Sequence, residues 1–137
     1  MILIVGATGQ LGTLLVRRLA AKGEKVRAFV RPTSRSEHLK GPNVELAFGD
    51  LRDAASLDAA CVGADVIIAT ANTVAPSSSY SFEEVEAQGY RNLLASAKRA
   101  GVRQFIFMSV LVTPGRQGPT LLNILKYLAL FSLCSSG

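Results

Sequence analysis

Close to the amino terminus lie three glycines whose spacing is typical of a turn that binds phosphate. Gly6, Gly9 and Gly12 follow an apolar run, ILIV at 2–5, at intervals of three. In such a turn the first glycine lets the chain leave a strand sharply, the second admits a phosphate, and the third lets a helix pack closely on the strand. The spacing therefore predicts a strand, a tight turn and a helix whose first amides face an anion. An ordinary strand-to-helix loop is the alternative, and the β/α alternation of the chain favours nucleotide binding.

A basic residue follows the second predicted strand. Arg31 lies at the carboxyl end of that strand, about twenty residues after the glycine turn. An acidic residue at this place binds the ribose 2′-hydroxyl of NAD, whereas an arginine can pair with the 2′-phosphate of NADP. The sequence therefore favours NADP, with NAD as second choice and with Thr33, Ser34 and Arg35 as further candidate phosphate ligands. A surface arginine at the start of a loop is the alternative.

Two further polar segments end predicted strands at the same edge of the sheet. Asp50 follows the strand 44–48, and its carboxylate could accept from an adenine amino group or could serve as a helix cap or loop acid. The small residues at 70–73 follow the strand 66–69 and could leave room for a ribose, or could simply end the strand.

Composition narrows the class of protein. The 137 residues are 49% hydrophobic and 18% charged, which predicts one folded domain with a buried parallel sheet. The net charge of +5 arises largely in the first third, yet no aromatic residues interleave with the basic ones and no nucleic-acid motif is present. We therefore predict no nucleic-acid partner, and interpret these charges as a solvated helix face with one or two phosphate-facing arginines.

Metal and disulfide chemistry are not indicated. Cys61 and Cys134 lack C-x-x-C spacing, and a lone His38 cannot build a metal site by itself. We interpret both cysteines as reduced thiols in a cytoplasmic protein. Because the amino terminus already reads as the first strand, no signal peptide is expected.

The elements that must position these residues alternate along the first half of the chain. Leu11, Leu14, Leu15 and Leu19 recur at helical spacing and predict the apolar face of a helix over 10–22 that Gly23 ends. The next predicted elements are a strand at 25–30, a loop at 32–42 with a helical turn near 36–39, a strand at 44–48, a helix at 54–61 capped by Asp53, and a central strand at 66–69.

The second half contains one long helix and one unusual segment. A Ser- and Pro-rich loop at 74–80 leads to Ser81 and Glu84, whose capping-box spacing predicts a helix that runs to Ala100. Gly101 ends that helix, and a fifth strand follows at 104–108. The run 120–134 is apolar nearly all round, but it is too short for a membrane span and contains a lysine, which predicts a buried helix.

With these residues assembled, the chain resembles the atypical short-chain dehydrogenase/reductase superfamily, and in particular its NmrA-like, NAD(P)-binding branch. Five segments carry the resemblance: GATGQLG at 6–12, FVRP at 29–32, GDL at 49–51, ATAN at 69–72 and GVRQFIFMS at 101–109. Together they cover most of the chain.

The resemblance implies roles for individual residues. It implies that the pyrophosphate is bound by the glycine turn, namely Gly6, Thr8, Gly9, Gln10, Leu11 and Gly12. It also implies that Arg31 favours NADP and that the adenine lies near Asp50 and Leu51. The ribose or nicotinamide side is implied at Ala69, Ala71 and Asn72.

The chain departs from the family pattern in two ways, at the general acid and in the elements that follow residue 137. Better-known members place a Tyr four residues before a Lys, with the Tyr as general acid. Lys126 matches that lysine, but Leu122 stands at the tyrosine position, and a leucine cannot transfer a proton. Ser109 and Lys126 remain as catalytic candidates. Members of the family also continue past a segment similar to 126–137 into a sixth strand and a substrate-binding lobe.

We therefore predict a three-layer α/β Rossmann-like domain spanning 1–137, with a doubly wound parallel sheet in the order 3-2-1-4-5 and without the later strands and lobe. The predicted function is dinucleotide binding, and the resemblance implies NAD(P)H-dependent reduction or isomerisation of a small molecule. A non-catalytic redox sensor or assembly factor that acts through a protein partner is the alternative. A third hypothesis is a truncated chain that self-associates, or binds a protein, through 120–134.

Overall fold

The computed structural model describes residues 1–70 and 88–108, and the structural statements below concern these residues. Nine elements follow one another: β1 (Ile2–Val5), α1 (Gln10–Ala21), β2 (Val26–Val30), a 3-10 turn (Glu37–Leu39), β3 (Val44–Phe48), α2 (Ala54–Cys61), β4 (Val66–Ala69), α3 (Gly89–Ala100) and β5 (Gln104–Phe107). The predicted elements within this part of the chain are confirmed, with ends shifted by a residue or two; the start of the helix predicted from Ser81 lies outside the described residues.

The five strands form one parallel sheet in the order β3-β2-β1-β4-β5, as predicted. Ile2 pairs with Val26 on one side and with Val66 on the other, so β1 lies in the middle. The chain first moves outward through β2 and β3 and then crosses back to β4 and β5. The carboxyl ends of β1 and β4 therefore flank the point where the direction of winding reverses, which is where open α/β sheets bind ligands.

The sheet divides the core into two layers because successive strand residues point to opposite faces. On one face Ile4, Val26 and Val30 pack with Val16 of α1 and with Leu39 of the 3-10 turn. On the other face Leu3, Val5 and Ile67 pack with side chains of α2 and α3, among them Leu57, Leu93 and Ala97. The architecture is thus the predicted helix–sheet–helix sandwich.

The prediction that all four leucines of α1 form its buried face is wrong for two of them. Leu11 is 40% exposed and Leu14 48% exposed, whereas Gly12 and Val16 are buried. The helix presents two apolar stripes, and the stripe that contains Gly12 faces the sheet because only a residue without a side chain fits where the helix meets the turn. Leu15 and Leu19 lie on that same stripe and pack against the core.

The ends of the helices follow their sequence signals. The Asp53 side chain accepts a hydrogen bond from the Ala55 amide at 3.1 Å, which confirms it as the amino-terminal cap of α2. Gly101 follows α3 with a φ of +71°, a left-handed conformation that glycine adopts without a Cβ clash. Gly23 ends α1 in the same way, with a φ of +87°.

Several predictions fall outside the described residues. These are the loop 74–80, the capping box at Ser81, the residues Cys134, Ala71, Asn72, Ser109, Leu122 and Lys126, and the run 120–134. Within 1–70 and 88–108, no helix combines the length and the apolar character needed to cross a bilayer. In the same ranges, no three His, Cys, Asp or Glu side chains group as metal ligands would.

Candidate functional site: a crevice at the carboxyl edge of the sheet

The glycine turn leaves β1 at the centre of the sheet. Gly6 has a φ of +85°, and its carbonyl accepts a hydrogen bond from the Gly9 amide at 3.2 Å, which closes the turn. A Cβ on Gly12 would lie 2.0 Å from the Gly6 oxygen and 2.8 Å from the Ala7 Cα. The first turn of α1 therefore packs directly on the backbone of the glycine turn.

Gly9 differs from Gly12 in what surrounds it. A Cβ on Gly9 would make only an ordinary contact, 3.5 Å from the Gly6 oxygen, and the residue has a φ of −72° that any amino acid adopts. Neither packing nor backbone conformation requires a glycine here. The missing side chain instead leaves the backbone open at the exposed start of α1.

The start of α1 offers free hydrogen-bond donors. The amides of Gln10, Leu11 and Gly12 donate to no acceptor within residues 1–70 and 88–108. No acidic side chain lies in the first turn, and the Gly9 cap provides no side-chain acceptor. Since the amides and the helix dipole both favour negative charge, the end of the helix can hold an anion.

Two threonines hold the glycine turn in place. From the sequence, Thr13 was given no role, and Thr70 was considered only as part of the small run 70–73 that could leave room for a ribose. The Thr70 hydroxyl, just beyond β4, lies 3.0 Å from the Val5 oxygen and 3.2 Å from the Gly6 oxygen, and these two carbonyls share its single proton. The Thr13 hydroxyl donates to the Ala7 oxygen at 3.0 Å from within α1. The position of Thr70 at the end of the neighbouring strand was the one available signal.

Arg31 occupies the corresponding edge position on β2. It follows the last residue of the strand, it is exposed, and its carbonyl accepts from the Ser34 amide at 2.9 Å in a tight turn. Its side chain makes no hydrogen bond or ion pair with any residue in the described part of the chain. Because β2 and β3 are neighbouring parallel strands, Arg31 and Asp50 follow them at the same edge of the sheet, and the charge of Arg31 helps to lower the pKa of Asp50.

Asp50 is already paired within the chain. Its carboxylate accepts from the Arg52 amide at 2.9 Å and from two guanidinium nitrogens at 3.0 Å each. The hydrogen bond from the Arg52 side chain is the main cause of the lowered pKa of Asp50, burial opposes it, and the charge of Arg31 adds to it. The carboxylate is therefore ionised, and its charge is compensated locally.

Leu51 connects this loop to the start of α3. Its carbonyl accepts a hydrogen bond from the Asn92 side chain at 3.1 Å. A Cβ on Gly89 would lie 2.9 Å from the Leu51 Cβ, so α3 approaches the loop closely at a glycine. Gly49 is confined too, because a Cβ there would lie 2.5 Å from the Ser56 side chain. The GDL segment is consequently fixed against both α2 and α3.

The structure places the remaining candidates as follows. Ala69 is fully buried and pairs with Val5 on one side and Phe107 on the other, with only its backbone available at the edge. Thr8 is half-buried within the glycine turn. The glycine turn, Arg31 and the loop at 50–51 thus lie along one edge of the sheet.

Thiol chemistry is not available at the described cysteine. Cys61 is fully buried at the end of α2, and burial raises the pKa of its thiol to about 11, with the charge of Asp58 acting in the same direction. The side chain is therefore a neutral part of the core at physiological pH.

Curated proteins of known name align with most of this chain. It is 45% identical over 109 residues to the sterol demethylase protein B of Methylococcus capsulatus, an alignment that covers 78% of this chain and 33% of the relative. It is 35% identical over 123 residues to the photosystem II assembly factor Ycf39 of Guillardia theta, covering 90% of this chain and 39% of that protein. The chain therefore spans between a third and two fifths of the length of these relatives.

A solved structure has the same fold as the described part of this chain. A short-chain dehydrogenase/reductase superfamily protein from Agrobacterium tumefaciens, crystallised with bound NAD, superposes with a TM-score of 0.70 at 27% identity. The superposition covers 98% of this chain and 44% of that protein. Over residues 1–127 the chain also matches the profile of the NmrA-like family. On this match, together with the Rossmann-like sheet and the glycine turn, the chain belongs to the NmrA-like family.

Proposed function

We propose that the crevice between β1 and β4 binds a nicotinamide dinucleotide and that NADP(H) is preferred over NAD(H). The observation that carries the proposal is Gly9. A glycine that packing within the described residues does not need stands beside three amides that have no acceptor in the same part of the chain, at the switch point of a parallel sheet. A pyrophosphate bound close to the backbone would leave no room for a Cβ at this position, which explains the glycine.

The proposed roles follow the edge of the sheet. The pyrophosphate lies on the amides of residues 10–12, beside Thr8 and Gly9. The adenine lies against the loop at 50–51. The ribose and nicotinamide side belongs to the backbone of Ala69 and to Ala71 and Asn72, as the resemblance to the family implies.

Charge favours the phosphorylated cofactor. Arg31 stands where an acidic residue would select NAD, and its guanidinium has no partner in the described part of the chain. Asp50, whose pKa the charge of Arg31 helps to lower, is paired with Arg52 at 3.0 Å, so its charge is already compensated locally. Thr33, Ser34 and Arg35 lie in the same turn as further ligands.

For the activity, we propose NAD(P)H-dependent reduction of a small molecule in the cytoplasm, with a hydride passing between the nicotinamide and the substrate. The dehydrogenase/reductase with bound NAD supports this class of reaction. Ser109 and Lys126 are the proposed catalytic residues, within a single domain spanning 1–137.

A second candidate is a non-catalytic redox sensor or assembly factor. Two observations favour it: Leu122 stands where the family's general acid would be, and one relative is a photosystem II assembly factor. If the protein is such a sensor, bound NADP(H) changes its affinity for a protein partner. The apolar run 120–134 is the proposed contact surface, for a partner or for a second copy of the chain.

Calorimetric titration of the chain with NADPH and NADH tests the cofactor proposal. We expect NADPH to bind more tightly than NADH, and Arg31→Ala to weaken NADPH binding about 10- to 100-fold, the effect of losing a charged hydrogen-bonding partner, with NADH little changed. Arg18→Ala, in the last turn of α1, is the matched control. Equal affinities would refute the NADP preference, and no saturable binding of either would refute the proposal.

Turnover separates the two functions. Steady NADPH oxidation with a panel of quinones and carbonyls would support the reductase, and it should fall to background when Lys126 is replaced by Met. Binding without turnover on any member of the panel would support the sensor.

A further inference from the structure

One hydroxyl connects two parts of the candidate site that are far apart in sequence. The Thr13 hydroxyl donates to the Ala7 oxygen at 3.0 Å, inside the glycine turn, and lies 3.3 Å from His38 Nε2. Because a hydroxyl has one proton, His38 in the tautomer that carries its proton on Nε2 can donate to the Thr13 oxygen while Thr13 donates to Ala7. We call the contacts His38–Thr13–Ala7 the threonine bridge.

His38 belongs to the segment that follows Arg31. The 3-10 turn Glu37–Leu39 packs against α1, where Leu39 is 2% exposed in the core next to Val16 and Val30. The Leu39 amide donates to the Ser36 oxygen at 3.0 Å and closes the turn. The segment is thus anchored at its far end by Leu39 and at the glycine turn by His38.

Arg31 begins this segment, and Ser34 folds it back by donating its amide to the Arg31 oxygen. The path from Arg31 to the 3-10 turn is only a few residues long, so the position of the turn limits where the guanidinium can lie. A residue that fixes the turn against α1 therefore acts on Arg31 without contacting a ligand.

We infer that Thr13 and His38 are positioning residues for dinucleotide selectivity. The threonine bridge holds the segment 31–39 against the glycine turn. The Arg31 guanidinium, which recognises a 2′-phosphate, is therefore positioned by the same hydroxyl that shapes the pyrophosphate site. The inference rests on the proposed function and deepens it. It gives the two residues different effects. His38 acts on the 31–39 segment alone, whereas Thr13 acts on that segment and on the glycine turn.

Four variants test this by titration with NADPH and NADH. We expect His38→Leu to weaken NADPH binding about 2- to 10-fold, the effect of losing one hydrogen bond, and to change NADH binding less than twofold. His38→Gln should restore most of the difference, because the glutamine amide also donates. Thr13→Val should weaken both dinucleotides, and Thr13→Ser should restore them. Equal losses of NADPH and NADH affinity in His38→Leu, or no loss, would overturn the inference.

A measurement without cofactor separates the bridge from the proposed function. Amide hydrogen exchange at Leu39 should be faster in His38→Leu than in the wild-type chain, while amides of β1 exchange at unchanged rates. Unchanged exchange at Leu39 would show that the bridge does not hold the segment. If the wild-type chain binds neither dinucleotide, the proposed function and the selectivity role fail together, and the exchange data alone decide whether the bridge exists.

Discussion

Gly9 and Gly12 belong to the same motif but should fail in different ways when each is replaced by alanine. At Gly12 the new Cβ would lie 2.0 Å from the Gly6 oxygen, and its other near neighbours are also backbone atoms of the glycine turn. The helix α1 must therefore move by about 1 Å or more. Overpacking of this kind costs about 1–3 kcal/mol, and with immobile backbone as the neighbour the upper end applies. Alanine returns about 1 kcal/mol through its helix propensity. The expected net loss is about 2 kcal/mol.

At Gly9 the new Cβ would meet only an ordinary contact at 3.5 Å. The poorer capping by alanine and the reduced freedom of the unfolded chain oppose each other, so stability should change by less than about 1 kcal/mol. The methyl group would nevertheless stand where the proposed pyrophosphate approaches. We therefore expect Gly9→Ala to fold normally and to lose at least tenfold in dinucleotide affinity.

Thermal unfolding and titration with NADPH together measure this contrast. Gly12→Ala should melt about 6–10 °C below the wild-type chain, as expected for a loss of this size in a domain of this length. Gly41→Ala is the matched control, because nothing lies within 4 Å of a Cβ there. If Gly9→Ala binds NADPH like the wild-type chain, the pyrophosphate does not approach the backbone at Gly9. If Gly12→Ala is as stable as the wild-type chain, α1 does not depend on close packing against the glycine turn.

Three further predictions concern the supports of the site. Thr70→Val removes the hydroxyl that holds the glycine turn and should lower stability by about 1 kcal/mol in denaturant titration, with Thr70→Ser restoring it; equal stability of all three chains would contradict this role. The pKa of Asp50 lies below its ordinary value of 3.8 because of Arg52, so the pair stabilises the fold above about pH 4 and this contribution is lost as the pH falls further. The difference in unfolding free energy between the wild-type chain and Asp50→Asn should therefore disappear below about pH 4, whereas a difference that stays constant with pH would contradict the stabilising role of the pair. With Cys134 replaced by Ser, the remaining thiol, Cys61, should resist alkylation at pH 8 until the chain is denatured, whereas rapid native labelling would exclude its burial.

The fold could be predicted from sequence because each strong local signal agreed with the others. The apolar run at 66–69 has no polar break, as a central parallel strand requires, and β4 lies between β1 and β5. Asp53 and Gly101 marked helix ends that the structure confirms. Right-handed crossovers then leave few strand orders for five such units.

The side-chain contacts could not be predicted, because they depend on distances between elements rather than on local patterns. Leu11 and Leu14 have the same spacing as buried leucines, and only the close approach at Gly12 decides which stripe of α1 faces the sheet. Half-buried Arg27 on β2 likewise donates to the Ala60 oxygen at the end of α2 at 2.7 Å, a contact between residues 33 positions apart.

The candidate site likewise has a part that the sequence predicts and a part that it does not. The backbone part, the glycine turn and its free amides, follows directly from the motif. The polar part does not, because Asp50 was predicted either as an acceptor for an adenine or as a helix cap or loop acid, and its pairing with Arg52 two residues away was not among the patterns in the sequence. Which partner a carboxylate takes in a loop depends on how that loop folds back, and here Ser56 and Asn92 hold it.

An amide NMR titration with NADPH measures whether a dinucleotide binds at the carboxyl edge of the sheet. We expect shifts concentrated at residues 6–12, at Arg31 and at 50–51. The amides of Gly23, Gly63 and Gly101, which lie in turns leading into the strands, should not shift. Saturating NADPH that shifts none of these amides, or shifts those three glycines instead, would contradict binding at this edge.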